Sequence, residues 1–373
     1  MEQEINKWLS IIQTYLINDS SVSEIETNGT FSIFIRRKGI RTEIQSVFES
    51  LDEYVKATEE LSDLISNGED YRFLTEGKLD LGHKGSARVH IVWPPVSDLP
   101  LVTIAKKSTS LTTLEDIAAS GSMSTKMMNF LKAAVDVKLN IVFSGSTGSG
   151  KTTFLEAMAK EIPSSVRIGV VEDSPELALI QQNVCYLKSS PWKPGRDLNE
   201  EVTLDWCVRQ INRMRTDLLI IGETRGKEFK EFITASNSGM EGSMTTLHAN
   251  SPKLALQKMT QFVMEAQPQP VRVINTSIAN SIDLIVQLDK YANGEYKTVS
   301  IEAITETLGI DDAATIATSP LTQYNKSTKS WSDRFLLPDK MRVKLESHGY
   351  DCNTFVKAGT SPSTNNARNF FNR

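Results

Sequence analysis

An α/β domain with a mainly parallel sheet, preceded by a smaller α+β domain, is the fold class that the sequence predicts. Three observations predict it. Between residues 122 and 309, short apolar stretches alternate with helix-forming ones, the pattern of a parallel sheet covered on both faces. One of those stretches runs directly into the glycine-rich segment Gly145–Thr152 (GSTGSGKT). Residues 1–107 instead mix alternating strands with two helical segments, and a length of 373 residues suits two or three domains.

The first domain is expected over 1–107. Ile5, Leu9, Ile12 and Leu16 fall near one face of a helix within Glu4–Ile17. Phe31–Arg36 (FSIFIR) alternates as a strand, Gly39 marks a turn, and Arg41–Ile44 pairs back in a hairpin. Ser50–Asn67 reads as a second helix. Ala87–Val92 is another alternating strand, stopped by Pro94 and Pro95, and Leu101–Ala105 is a further one. Residues 108–121, rich in Ser and Thr, form a linker with a short helix near Leu114–Ala119.

In the second domain, 122–309, the predicted strands are Asn140–Ser144, Arg167–Val171, Leu218–Ile221 and Ser243–Leu247. Ile282–Leu288 and Lys297–Ala303 flank Asn293-Gly294 and read as a hairpin. Residues 310–358, with Trp331 and the segment Pro338–His348, are expected to form a small helical appendage, and 359–373 (GTSPSTNNARNFFNR) a disordered tail.

Composition narrows the function. With 39% apolar and 23% charged residues the chain is globular, and its net charge of −5 implies no strong whole-molecule attraction to nucleic acid. Cys185, Cys207 and Cys352 are far apart and form no CxxC pair, and there are only 4 His. A disulfide scaffold and a Cys/His zinc site are therefore not expected, and a reducing cytoplasm fits. The start, MEQEINKWLS, lacks the basic end and apolar core of a signal peptide. No run of about 18 apolar residues exists to span a membrane.

GSTGSGKT matches G-x-x-x-x-G-K-[ST] without mismatch, after an apolar strand and before the helix-forming run Thr153–Lys160. Glycines at Gly145, Gly148 and Gly150 let the backbone wind tightly, so that the N–H groups of Ser146, Thr147, Ser149 and their neighbours aim at phosphates. The helix N-terminus at Thr152 and Thr153 adds positive potential. Lys151 is expected to reach the β- and γ-phosphates of a nucleotide, and the Thr152 hydroxyl to ligate Mg²⁺.

Carboxylates must then choose the chemistry. Leu218–Gly226 (LLIIGETRG) has Gly222 in the place where such enzymes ordinarily carry an Asp, with Glu223 following. Glu223 therefore stands at a strand's carboxyl end, where ligands sit in open α/β sheets. Val170–Leu177 (VVEDSPEL) crowds Glu172, Asp173 and Glu176 after another strand. Glu172 suits the activation of an attacking water, and Asp173 suits the cap of a helix opening near Pro175. In Gly242–Asn250 (GSMTTLHAN), His248 lies just past a short strand.

The ordered set GSTGSGKTT, VVEDSPEL, RMRTDLLIIGETRG and GSMTTLHANSP resembles the ATPases of type II and type IV secretion, pilus assembly and conjugation. It is most similar to their conjugation-type and CpaF-like branch. Val22–Gly29 (VSEIETNG), Gly85–Pro95 (GSARVHIVWPP) and Asp283–Leu288 (DLIVQL) resemble further family motifs, so the likeness covers about residues 20–308. It implies a RecA-like ATPase core behind an N-terminal α+β domain, in a homohexamer that serves inner-membrane components of a secretion or pilus machine. The implied location is the cytoplasmic face of that membrane. It also implies Glu172 as the water-activating carboxylate, Glu223 as organiser of Mg²⁺, and His248 as reporter on the γ-phosphate. Arg213, Arg215 and Arg225 fall on family arginines, implying contact with phosphates or a neighbouring subunit.

Three positions depart from the family pattern: Met240 stands for a His, Ala105 for an Arg, and Thr216 for a Pro. With Ala105 unable to reach a phosphate, Arg88 or Lys106 is expected to supply the missing charge. The competing readings are a RecA-like nucleic-acid motor and a GTPase or small-molecule kinase. The first lacks a basic and aromatic stacking platform. The second lacks an N-K-x-D run, since Ser-Thr follows Asn325-Lys326.

Overall fold

A computed structural model describes residues 6–28, 32–37, 40–66, 73–82, 85–107, 112–190, 201–291, 293–308 and 315–357. The expected tail, linker residues 108–111 and the turn at Gly39 lie outside the described residues. The chain divides into two compact units, the first before Thr112 and the second from Thr112 onward.

In the first unit, α1 (Lys7–Ile12) is capped by the Asn6 side chain, which accepts from the Trp8 N–H at 2.8 Å, and it continues as a π-helical turn over Gln13–Ile17. Then follow β1 (Val22–Thr27), β2 (Ile33–Arg37), β3 (Ile40–Ile44), α2 (Leu51–Ser66), β4 (Leu74–Asp80), β5 (Ser86–Val92) and β6 (Leu101–Lys107). The six strands form an antiparallel sheet in the order β3-β2-β1-β6-β5-β4.

Alternate residues Ile25, Ile33, Ile35, Val89, Ile91, Val102 and Ile104 point to one face and are fully buried with Trp8, Tyr54 and Leu61 of the helices. Each such side chain stabilises the unit by about 2 kcal/mol. Trp8 Nε1 donates to Thr58 Oγ1 at 3.0 Å, and Tyr54 Oη donates to the Pro100 carbonyl at 2.6 Å. Strands β1 and β4 are not among the predicted strands. A register shift between Val22 and Glu24 breaks the alternation of the first, and Gly77 interrupts the second. A Cβ on Gly77 would meet the Ile65 carbonyl at 2.5 Å, so the glycine lets α2 pack on the strand.

The second unit contains α3 (Leu114–Ala119), α4 (Thr125–Asp136), β7 (Ile141–Gly145), α5 (Lys151–Ala159), β8 (Ile168–Glu172), β9 (Val184–Lys188), α6 (Leu204–Ile211) and β10 (Leu218–Thr224). It continues with α7 (Glu228–Asn237), β11 (Met244–Leu247), α8 (Pro252–Ala266), α9 (Val271–Ser281), β12 (Leu284–Lys290) and β13 (Tyr296–Leu308). Beyond these come β14 (Thr315–Asn325), β15 (Ser330–Trp331) and α10 (Asp339–Ser347).

The sheet has nine strands in the order β15-β14-β13-β12-β7-β11-β10-β8-β9. Pairing is parallel from β12 through β9 and antiparallel from β12 through β15. Both faces are covered. Ile141 and Phe143 pack with Met127, Phe130, Leu155 and Leu345 of α4, α5 and α10, whereas Val142 packs with Val208, Phe229, Met259 and Ile278 of α6 to α9. That accounts for continuous apolar strands instead of alternating ones.

Two expectations change here. Residues 315–331 are strands that extend the main sheet, not part of a helical appendage; Leu321 and Thr322 are buried against it. Among the described residues after Glu172, no helix opens near Pro175.

Candidate functional site

The carboxyl ends of β7, β8, β10 and β11 lie side by side, so the loop after each strand reaches one edge of the sheet. After β7 the chain turns through Ser146, the exposed Thr147 and Gly148, and the buried Ser149 to Gly150, the cap of α5. Gly148 and Gly150 have φ of +72° and +88°, a conformation that side chains disfavour. A Cβ on Gly145 would collide with Ser149 Oγ and the Leu288 carbonyl. The resulting cradle points the first N–H groups of α5, at Lys151, Thr152 and Thr153, outward with no intrahelical acceptor. Ser149 Oγ is buried without a partner among the described residues. An orphaned hydroxyl inside a ring of backbone donors fits a phosphate.

Lys151 lies across this cradle. Its Nζ donates to the carbonyls of Gly145 at 3.0 Å and Ser146 at 2.8 Å, and reaches His248 Nδ1 at 3.2 Å. Burial pulls the Lys151 ammonium down to about 8, against the opposing pull of Glu223. His248 Nε2 lies 2.7 Å from Glu223 Oε1, and Glu223 Oε2 accepts from Arg225 Nη2 at 2.6 Å. Arg225 Nη1 in turn stands 3.6 Å from Asp173 Oδ2. Burial, then the Lys151 charge, lower the His248 pKa while Glu223 raises it. The imidazole is therefore neutral at pH 7, and its partners assign the tautomer: Nε2–H donates to Glu223 and Nδ1 accepts from Lys151.

The chain after His248 is clamped. Lys258 Nζ donates to the His248 carbonyl at 2.5 Å, and Gln287 Nε2 and Ser144 Oγ donate to the Ala249 carbonyl at 3.1 and 3.2 Å. Sequence reasoning misses Gln287, although one amide inside the apolar strand LIVQL is an available signal.

Glu172 corrects the expected division of labour. Its Oε1 accepts the N–H groups of Glu176 at 3.0 Å and Leu177 at 2.9 Å, so Glu172, not Asp173, caps the following segment. Asp173 instead accepts from Ser189 Oγ at 2.6 Å and faces Arg225. Glu172 is 5% exposed. Gly222 explains how it fits: a Cβ there would meet Glu172 Cγ at 2.9 Å and Oε1 at 3.0 Å. The residue in the ordinary Asp place is thus a glycine because the neighbouring strand's glutamate fills that volume.

Within the second unit, the remaining expected arginines stand apart from the cradle. Arg213 and Arg215 are exposed in the turn between α6 and β10, at the opposite edge of the sheet from the phosphate cradle, so the second unit does not bring them to it. Met240 is buried near the same opposite edge, with Thr216 Oγ1 3.9 Å from its Sδ. In the first unit, Arg88 is bonded to Glu76, and Lys106 Nζ donates to the Leu16 carbonyl at 2.6 Å. Among the described residues no cluster of three or more His, Cys, Asp or Glu could hold a metal by itself. Thr152 and Glu223 suit a Mg²⁺ held mainly by phosphates and water.

Residues 16–317 match the family model described as type II/IV secretion system protein. The conjugal transfer protein TrbB of Rhizobium radiobacter is 28% identical over 281 residues, covering 74% of this chain and 82% of the relative. The type IV secretion system protein VirB11 of Brucella suis is 31% identical over 228 residues, covering 54% and 63%. Among solved structures, the Legionella pneumophila ATPase DotB superposes with a TM-score of 0.55 at 15% identity, covering 82% of each chain, a likeness of fold.

Proposed function

The chain belongs to the family of type II/IV secretion system proteins, which are ATPases, and from that premise we propose that it hydrolyses ATP in a Mg²⁺-dependent reaction. We further propose that it does so as a homohexamer at the cytoplasmic face of a membrane, powering a conjugation-type secretion or pilus machine. The observation that carries the reading is the connected series Lys151, His248, Glu223, Arg225 and Asp173, converging on a phosphate cradle from adjacent parallel strands.

In this reading the cradle's N–H groups and Ser149 hold the phosphates, and Lys151 exchanges two backbone carbonyls for the γ-phosphate. His248 moves with it, because its Nδ1 faces the ammonium, and so relays the occupancy of the cradle to Glu223. Thr152 and Glu223 would hold Mg²⁺, which would supply charge neutralisation to the phosphates. Glu172 orients and deprotonates the attacking water from a buried strand end. In this reading Arg225, 58% exposed at its side chain, and the exposed Arg213 on the far edge serve a neighbouring subunit. Among the described residues no helix is long and apolar enough to cross a membrane.

Lys151→Ala tests the proposal. Turnover should fall by ~10²-fold or more and ATP binding should weaken, because the developing charge loses its cation. Native turnover in the purified, folded variant would reject the phosphate-site reading.

A further inference from the structure

Glu172, Glu223 and His248 flank the phosphate cradle on one side. They stand at the ends of β8, β10 and β11, whereas across β7 the neighbours are β12 and β13. A nucleotide whose terminal phosphate faces Glu172 and Glu223 therefore carries its nucleoside toward β12 and β13.

On that side Tyr296, the first residue of β13, lies against the cradle itself. A Cβ built on Gly150 would be 3.5 Å from its Cδ1 and 3.9 Å from its Cε1. Tyr296 is 44% exposed and belongs to neither apolar core of this unit. Lys290 Nζ stands 5.1 Å from the ring centroid, across the last pair of the hairpin ladder. The backbone beneath is pinned: Lys297 Nζ donates to the Gly121 carbonyl at 2.7 Å, and the Thr298 N–H donates to the Ser122 carbonyl at 2.8 Å. Trp331 Nε1 closes the other side on the Thr298 carbonyl at 2.8 Å. A half-exposed aromatic side chain on a fixed backbone beside a phosphate cradle offers what a nucleobase stacks on.

We propose that Tyr296 is the platform for the nucleobase, with Lys290 as its cationic neighbour, a proposal that rests on the ATP-binding reading above. Stacking grips a base through its π-face and does not read its edge. The site therefore gains affinity for nucleotides over bare phosphate chains. The plainer role, a Lys–Tyr pair that merely stabilises the hairpin, makes no such distinction.

The experiment measures the affinity of the wild type, Tyr296→Ala and Tyr296→Phe for ATP and for inorganic tripolyphosphate. Tyr296→Ala should weaken ATP by about tenfold and leave tripolyphosphate unchanged, and Tyr296→Phe should restore ATP. Unchanged ATP affinity in Tyr296→Ala would overturn the proposal, as would equal losses for ATP and tripolyphosphate. A wild type that binds neither would instead reject the ATP-binding reading itself.

Discussion

Glu172 and Glu223 stand at neighbouring strand ends, and their environments differ. Glu172 is buried, has one oxygen bound to two backbone N–H groups, and packs against Gly222. Glu223 is shared between His248 and Arg225 in a more open position. Glu172→Gln and Glu223→Gln should each keep ATP bound and lower single-turnover hydrolysis by about 10²-fold or more. In Glu172→Gln the new amide still offers an oxygen to the N–H groups of Glu176 and Leu177, so the segment stays capped while the charge is lost. Full single-turnover chemistry in that variant would remove Glu172 as the base. The neutral His248 adds a second distinction, because only Glu223→Gln alters the acceptor for its Nε2–H.

At the scale of elements, the hairpin of β4 and β5 carries its own pH dependence. His90, whose Nδ1 lies 3.6 Å away, is the largest influence on Glu76; burial opposes it and Arg88 reinforces it. Together they hold the carboxyl down at about 2. A depressed carboxylate contributes stability above its unfolded value, and that contribution is lost as pH falls through the folded value. Glu76 is partly solvated, so screening reduces the effect to about 1 kcal/mol. Glu76→Gln should lower amide-exchange protection in β4 and β5 by about fivefold at pH 7. The difference from the wild type should shrink between pH 4.5 and pH 2. Protection that is unchanged at pH 7 would show that the pair is solvated and idle.

Elements also explain which parts of the fold are legible. The strands of the second unit can be read because burial on both faces demands unbroken apolar runs such as LLII in β10. Edge strand β9 escapes because its residues are only partly buried and Tyr186 faces out. The strands β14 and β15 escape for a related reason. They pair antiparallel at the other end of the sheet, where TIATSPLTQYN mixes polar residues and Pro320 into the ladder.

For the whole molecule, the proposed ring would give the exposed arginines far from their own cradle a neighbouring subunit to meet. The chain should form a homohexamer, with nucleotide shifting the equilibrium toward it, because a ligand bound at an interface stabilises the assembly. Light scattering at micromolar concentration, with and without a non-hydrolysable ATP analogue, reads this directly. Monomer alone under both conditions would count against the ring.

The sequence by itself determined the glycine-rich turn after β7, the alternation that makes a parallel sheet, and the places of Lys151, Glu223 and His248 in the loops and strand ends around that turn. These are local properties: a backbone that must wind at positive φ needs glycine, and a strand end needs a polar residue to be useful. Only the tertiary structure decided that Glu172 caps its own loop, that Gly222 yields its volume to Glu172, and that His248 bridges Lys151 to Glu223. It alone joined Thr216 to Met240, two positions that depart from the family pattern and touch each other. It also set Tyr296 beside Gly150, residues remote in sequence. The physical reason is that such relations depend on which strands become neighbours, and strand order is chosen by burial across the whole sheet, which no single segment encodes.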